Sequence, residues 1–323
     1  MTTKQHILTL LERRRGQSIS GEELAGQLGI SRNAVWKAIK ELRGDGYSII
    51  AVTNKGYSLC DDVDIISAEG ISPFLAQPDA LGKIFVHKTL ESTSITAKKM
   101  AVMGAEHGTI VLAEKQSGGR GRYGRQFHSP PGGIYMSFIL RAEQLRFDTP
   151  TLITAFAAVA VCEAIEAVSD RLPRIKWVND IYLDNKKICG ILTEAVTDFE
   201  SGGIQWMVVG IGINFNTRED EFPAELRSIA TSVFPSGDAS VTRNRLIAEV
   251  ANRLIYLDQP IADVILSKYK QRMMMLGNVV TVVGTSEQYQ ATAVDIDDTG
   301  KLVVETVNGE RRALSSGEIR IMI

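Results

Sequence analysis

A three-domain α/β chain is predicted by three changes of pattern along the 323 residues. Residues 1 to 62 carry three short amphipathic helical stretches and a pair of strand-like runs. Residues 63 to 276 mix apolar strands with helices, and residues 277 to 323 change to short strands separated by turn signals. The reading is an N-terminal winged helix-turn-helix, a central α+β domain and a C-terminal SH3-like β-barrel.

In the first domain, residues 4 to 15 place Ile7, Leu8, Leu10 and Leu11 on one helical face. Ser20-x-x-Glu23 is a capping box for a second helix that buries Leu24, Ala25 and Leu28 and ends at Gly29. Ser31 caps a third helix, whose apolar stripe is Ala34, Val35, Ala38, Ile39 and Leu42. Its opposite stripe is Asn33, Trp36, Lys37 and Lys40, a polar face suited to a major groove. The short Gly29-Ile-Ser31 connection makes a helix-turn-helix, and Tyr47 to Leu59 reads as a two-strand wing around Asn54-Lys55-Gly56. Ser31, Arg32, Asn33, Trp36, Lys37, Lys40 and, at the wing tip, Lys55 are the candidate DNA contacts. Nine Lys/Arg stand against five Asp/Glu in residues 1 to 60, whereas the whole chain carries −2, so the basic charge sits where a polyanion is expected.

Asp61-Asp-Val-Asp64 marks the boundary, and Ser67 to Leu75 reads as a short connecting helix or turn. A strand at Ile84 to His87 runs to Glu91-Ser-Thr-Ser94, whose hydroxyls are placed to cap a helix reaching Ala101 to Met103. Two strands, at 109 to 114 and 134 to 140, flank Lys115-Gln-Ser-Gly-Gly-Arg-Gly-Arg-Tyr-Gly-Arg-Gln-Phe127. Lys115, Arg120, Arg122 and Arg125 with four glycines and no acid make a flexible anion-binding loop, with nothing local to order its backbone. Gly119-x-Gly121-x-x-Gly124 matches the dinucleotide fingerprint, but that motif must open a helix, and Ser129-Pro-Pro-Gly-Gly133 and a strand follow instead. A phosphate-binding Walker loop needs Gly-Lys-Ser/Thr, which the chain lacks. Thr149-Pro150 then starts a long apolar helix to about Val168. Strands carrying Lys176 to Asp180, Ile188 to Ala195 and Gln205 to Asn214 follow, with a turn at Asp184-Asn185. A polar loop from Phe215 to Pro223 and helices from Thr242 and Pro260 close the domain. Beyond Gly277, Asp297-Asp-Thr-Gly300 and Asn308-Gly309 punctuate the barrel strands.

The cationic loop, Lys176-Trp-Val-Asn-Asp180, Lys187-Ile-Cys-Gly-Ile-Leu192 and Gly210-Ile-Gly-Ile-Asn214 occur in that order. With the N-terminal reader, the chain resembles the bifunctional biotin protein ligases that also repress biotin operons, along essentially its whole length. The resemblance implies a biotin/lipoate-ligase-like, class II synthetase-like central domain. It implies biotin and ATP giving biotinyl-5′-AMP, with Mg2+ masking the triphosphate near Asn179 and Asp180, followed by transfer to a lysine of a biotin carboxyl carrier protein. Ser92, Thr93, Ser94, Gln116, Arg120, Arg122, Lys187, Gly210 and Gly212 fall at its biotin positions. Arg122, Arg125, Phe127, Lys176, Asn179, Asn214 and Arg218 fall on its nucleotide side. Arg120, Arg122, Lys176, Asp180 and Lys187 are the catalytic candidates. Two departures stand out: Phe127 replaces the tryptophan of some relatives, and Ser316 to Ile321 shifts the arginine register of the closing strand, so no nucleotide contact is assigned to Arg320.

Read without the resemblance, the central residues offer positive groups and acceptors but no Ser-His-Asp or Cys-His set, so reaction passes directly between bound substrates. A lipoate ligase and a non-catalytic, ligand-responsive repressor are the alternatives. The first is disfavoured by the full Gly-Arg-Gly-Arg loop together with the winged helix, the second by the complete set Arg120, Arg122, Lys176, Asp180 and Lys187. Three scattered cysteines and four scattered histidines predict free thiols and no structural metal. With no window expected to span a bilayer and no signal segment, the chain is expected in the cytoplasm, away from membranes, with operator DNA as partner and as a homodimer when adenylate-bound.

Overall fold

The computed structural model describes residues 1–52, 55–77, 83–145, 149–197, 203–256, 262–284, 288–315 and 318–321. Wing residues Thr53 and Asn54, the expected helix start at Pro260, and Ser316 and Gly317 lie outside them. Two compact units form, one from residues up to 82 with 241–252, the other from the remainder.

In the first unit, α1 (Thr3–Arg13), α2 (Gly21–Leu28) and α3 (Arg32–Gly44) precede the antiparallel wing strands β1 (Ile49–Val52) and β2 (Gly56–Leu59). Ser20 and Ser31 accept from the backbone N–H groups of Glu23 and Ala34, as cap residues do, and Gly29 ends α2 at φ 64°. The expected reciprocal half of the Ser20 box is replaced, because the Glu23 carboxylate is taken by Arg14 at 2.6 Å. The full capping box instead opens α1, between Thr2 and Gln5. Ile7, Leu11, Leu24, Val35, Ile39, Leu42 and Leu59 form the core, each fully buried and worth about 1.5–3 kcal/mol. Val63 belongs to the same core, and α4 (Ala68–Ile71) packs on α1, so the segment following the acidic stretch lies with this unit. A helix from far along the chain, α7 (Arg243–Ala251), completes the unit. Arg243 pairs with Asp64 at 2.8 Å, while Asn244 accepts from Ser67 N and donates to Ile65 O.

The second unit is built on a seven-stranded sheet of order β3-β4-β5-β9-β8-β7-β6. Its strands are β3 (Ile84–Leu90), β4 (Thr109–Gln116), β5 (Ile134–Arg141), β6 (Arg174–Lys176), β7 (Asp180–Leu183), β8 (Lys186–Thr197) and β9 (Ile204–Ile213). Among the described strands of this sheet only β3 and β4 pair with each other in parallel, and α5 (Thr93–Val102) makes the crossover this requires. The helix α6 (Pro150–Val168) packs on β8 and on α8 (Ala262–Arg272), with Lys268–Glu163 and Arg272–Glu166 ion pairs at 2.8 Å. At 19 residues α6 is long and apolar enough to cross a membrane, which corrects the expectation that no window reaches that length. Here every side chain from Leu152 to Cys162 is buried, so its apolar residues serve the core.

The last five strands, β10 (Val279–Val283), β11 (Gln288–Ile296), β12 (Leu302–Thr306), β13 (Arg311–Leu314) and β14 (Glu318–Ile321), form an antiparallel sheet of order β13-β12-β11-β10-β14. Gly300 and Gly309, at φ 80° and 77°, sit at the two turns read from the sequence. Cys60, Cys162 and Cys189 are free thiols.

Candidate active site and DNA-reading face

The cationic loop folds back on itself. Phe127 N donates to Gly119 O at 2.9 Å and Gly121 N to Arg125 O at 2.7 Å, so local bonds do order a backbone expected to have none. A Cβ on Gly119 would lie 2.5 Å from Phe127 O, which is why glycine is needed at this crossing. Arg120 reaches Glu91 at 3.7 Å, an exposed and therefore weak pair. Arg122 donates to Asn179 Oδ1 at 3.3 Å and to the Tyr123 hydroxyl at 3.2 Å, both neutral groups.

The end of β6 is held from three sides. Trp177 Nε1 donates to Gly300 O at 3.0 Å, Trp177 N to the Met275 sulfur at 3.2 Å, and the buried Tyr269 hydroxyl of α8 to Val178 O at 2.7 Å. Burial pushes the Tyr269 phenol far up against the opposing Arg122 charge, so it stays a neutral donor. Asn179 Nδ2 donates to Ile191 O at 2.8 Å, which aims its oxygen at Arg122. The β7–β8 hairpin turns through Asp184 and Asn185 at φ 49° and 60°, as a type I′ turn demands. That hairpin sets Lys187 Nζ 2.7 Å from Asp180 Oδ1, both partly buried. Burial and then the Asp180 charge push Tyr182 up to about 12, and Lys176 Nζ lies 5.7 Å from its ring centroid.

A hydroxyl wall stands opposite. Ser92 is the N-cap residue of α5, but its side chain makes no capping bond, contrary to the sequence expectation. The Thr93 N–H donates instead to Gln116 Oε1 at 2.8 Å, because parallel pairing sets Leu90 and Gln116 side by side. Gly210 and Gly212 face this region on β9. A Cβ on Gly210 would lie 2.4 Å from Ser94 Oγ, and one on Gly212 2.5 Å from the Phe127 ring, which also lies over Gly190. The room these glycines leave is thus taken up by Ser94 and Phe127.

One cavity of about 350 Å³ gathers these groups: Ser92, Thr93, Ser94, Gln116, Arg120, Arg122, Arg125, Phe127, Lys176, Asn179, Asp180, Lys187, Gly210, Gly212 and Asn214 all line it. Arg218 is not among its lining residues; its guanidinium lies 3.4 Å from Asp220 in its own turn. Sequence reasoning missed Leu226, Ile229 and Ala230, which close one wall, Ile319 of the last sheet, and the buried Ser137 behind Thr93. No local pattern marks these residues, since pairing between distant segments, such as Lys187 with Ala230, brings them in.

In the first unit, Ser31, Arg32, Asn33, Trp36, Lys37, Lys40 and Lys55 are all exposed. Lys40 Nζ lies 5.5 Å from the Trp36 ring centroid, a cation–π contact on the surface of α3. A winged helix whose third helix exposes Arg32, Lys37 and Lys40, in a chain whose other unit gathers arginines and lysines beside a hydroxyl wall in one cavity, defines a winged-helix protein with an anion-binding pocket.

Comparison with known proteins narrows this class. The biotin/lipoate A/B protein ligase family model matches residues 86–214, an HTH domain model residues 3–58, and the biotin protein ligase C-terminal domain model residues 276–322. The chain is 35% identical to the bifunctional ligase/repressor BirA of Bacillus spizizenii over 98% of both chains. It is 30% identical to that of Escherichia coli over 95% of this chain and 94% of the relative. The biotin protein ligase of Aquifex aeolicus, solved with biotin and ATP, aligns with a TM-score of 0.62 at 26% identity, covering 73% of this chain and 97% of that one. The chain belongs to the biotin protein ligase family, and its full-length relatives are the bifunctional ligase/repressors.

Proposed function

We propose that this chain activates biotin with ATP, transfers it to a lysine of a biotin carrier protein, and represses transcription through its winged helix. The observation that carries the enzymatic reading is one cavity in which Arg120, Arg122 and Lys187 converge with the Thr93–Gln116 hydroxyl wall. In the first step a carboxylate oxygen of biotin attacks the α-phosphorus, and the bond to the departing pyrophosphate breaks. Charge on the phosphate oxygens is met by Arg122 and Lys187, with positioning supplying much of the acceleration. Arg120 faces the carboxylate end, and Lys176 and Arg125 take the triphosphate. Ser92, Thr93, Ser94 and Gln116 hold the ureido ring. Phe127 and Asn214 form the adenine side, whereas Arg218, tied into its own turn, is given no part. Asn179 and Asp180 offer two oxygens beside the triphosphate, the small protein share usual for Mg2+ held mostly by phosphate and water, and the ion would mask triphosphate charge. In the second step the carrier amine attacks the acyl carbon, AMP leaves, and Asp180 is the carboxylate placed to receive the proton.

The winged helix, with Lys37 and Lys55 toward phosphates and Arg32 and Asn33 toward base edges, reads operator DNA of biotin genes. We propose that the adenylate-bound chain dimerises, which would set two recognition helices on a two-fold operator. Residues 1–62, 63–276 and 277–323 are the corresponding functional segments along the chain, with Val63 and the helix 243–251 of the middle one folding into the first unit, and the free thiols suit the cytoplasm. Exchange of labelled pyrophosphate into ATP tests the enzymatic reading: it should depend on biotin, and exchange that ignores biotin would overturn it. Sedimentation with and without a non-hydrolysable adenylate analogue tests the dimer, which an unchanged monomer fraction at saturation would refute.

A further inference from the structure

The hydroxyl wall continues into the core in a way that fixes the direction of the Ser94, Ser137 and Thr93 protons. Ser137, on β5, is completely buried and does not line the cavity. Its hydroxyl donates to Thr93 Oγ1 at 2.8 Å. Thr93 Oγ1 in turn donates to Gln116 Oε1 at 3.2 Å, which also receives the Thr93 N–H. The amide is thereby oriented, and Gln116 Nε2 donates to Ser129 Oγ at 3.1 Å, which passes its own proton to Phe127 O at 3.1 Å. Ser94 Oγ lies 3.2 Å from Ser137 Oγ. A hydroxyl has one proton, and that of Ser137 is committed to Thr93, so Ser94 must be the donor in the Ser94–Ser137 bond. The chain therefore runs from Ser94 through Ser137 and Thr93 to Gln116.

The consequence is read at the cavity wall. With their protons turned inward, Ser94 and Thr93 present only oxygen lone pairs to a ligand, while Gln116 Nε2 keeps one N–H for it. That surface, acceptors beside one donor, is complementary to a cyclic urea, which carries N–H donors beside a carbonyl. A dithiolane ring has no N–H to give, and binding it would leave the wall's acceptors buried and unpaired. The sheet is built around the arrangement: Ser137 pairs in register with Gly210, and a Cβ there would lie 2.4 Å from Ser94 Oγ and 3.6 Å from Ser137 Oγ.

We infer that Ser137 is a specificity-determining positioning residue, which sets Ser94 and Thr93 as acceptors and so selects a cyclic urea over a dithiolane. The inference rests on the proposed biotin-ligase reading. In pyrophosphate exchange, Ser137→Ala should raise the KM for biotin about tenfold while leaving the KM for ATP unchanged. Ser137→Thr, which keeps the hydroxyl, should restore the biotin KM. Calorimetry should show the same loss for desthiobiotin, which retains the urea, and none for lipoic acid. Ser137→Cys, which keeps the side-chain shape with a somewhat larger and weaker donor, serves if the alanine variant fails to fold and should show the same split between substrates. Equal loss for biotin and ATP, or no loss in either variant, would overturn the inference. An absence of biotin-dependent exchange in the unmodified protein would instead overturn the ligase reading.

Discussion

Replacing Lys187 with alanine should do more damage than the loss of one contact. Its amine sits 2.7 Å from Asp180 inside the cavity. On the proposed reading, removing it deletes a charge-assisted contact to the substrate phosphate, worth about 1.5–3 kcal/mol. It also strands the Asp180 carboxylate beside the reacting anion. At a separation of about 5 Å and an effective dielectric of about 20, that repulsion is about 3 kcal/mol. The total, roughly 5 kcal/mol, is on the order of 10³- to 10⁴-fold in adenylate formation. Single-turnover measurement of biotinyl-adenylate tests this, with Lys187→Ala compared against Lys187→Ala/Asp180→Asn. Neutralising the stranded carboxylate, while the asparagine amide keeps an oxygen toward Mg2+, should recover about 100-fold of the first step, although transfer to the carrier stays slow if Asp180 receives the amine proton. A double variant no faster than the single one in adenylate formation would refute the electrostatic reasoning.

Other outcomes follow from the same geometry. Lys37→Ala should weaken operator binding and reduce its salt slope by about one, measured by titration at several ionic strengths; an unchanged slope would remove Lys37 from the phosphate contacts. Asp64→Ala leaves the buried Arg243 guanidinium without its carboxylate and should destabilise the first unit by about 3 kcal/mol, read by chemical denaturation. His107 accepts the Arg141 N–H at 3.1 Å, and burial, with Lys83 and Arg141 adding to it, holds its imidazole below the ordinary value. Folding thus favours the neutral form, so its contribution is intact above pH of about 6.5 and is lost as pH falls from there through the lowered value. His107→Gln should flatten that part of the stability profile, and an unaltered profile would show that another group causes it.

What the sequence made legible was local. Ser31 and Thr149 cap their helices, and Asp184-Asn185 turns its hairpin, because each signal and its effect lie within a few residues. The ordered glycine-rich motifs reached the cavity because each lies at or beside the end of a strand. What escaped was set by pairing across the chain. Nothing near Ser137 announces that β5 would place it behind Thr93, and nothing near Arg243 shows that its helix returns to pack beside Asp64. The idle Ser92 cap has the same origin, since Gln116 supplies the acceptor that Thr93 N–H needed. Arg14 likewise diverts Glu23 from a box that its spacing alone would complete.

The most direct test of the ligase reading is covalent. The purified chain should be incubated with biotin, ATP, Mg2+ and a biotin carrier domain, and the carrier examined by intact-mass and peptide analysis. The reading predicts one biotinyl group on a single carrier lysine, formed only when both biotin and ATP are present. An unmodified carrier, or one that gains a lipoyl group from lipoic acid but no biotin, would contradict it.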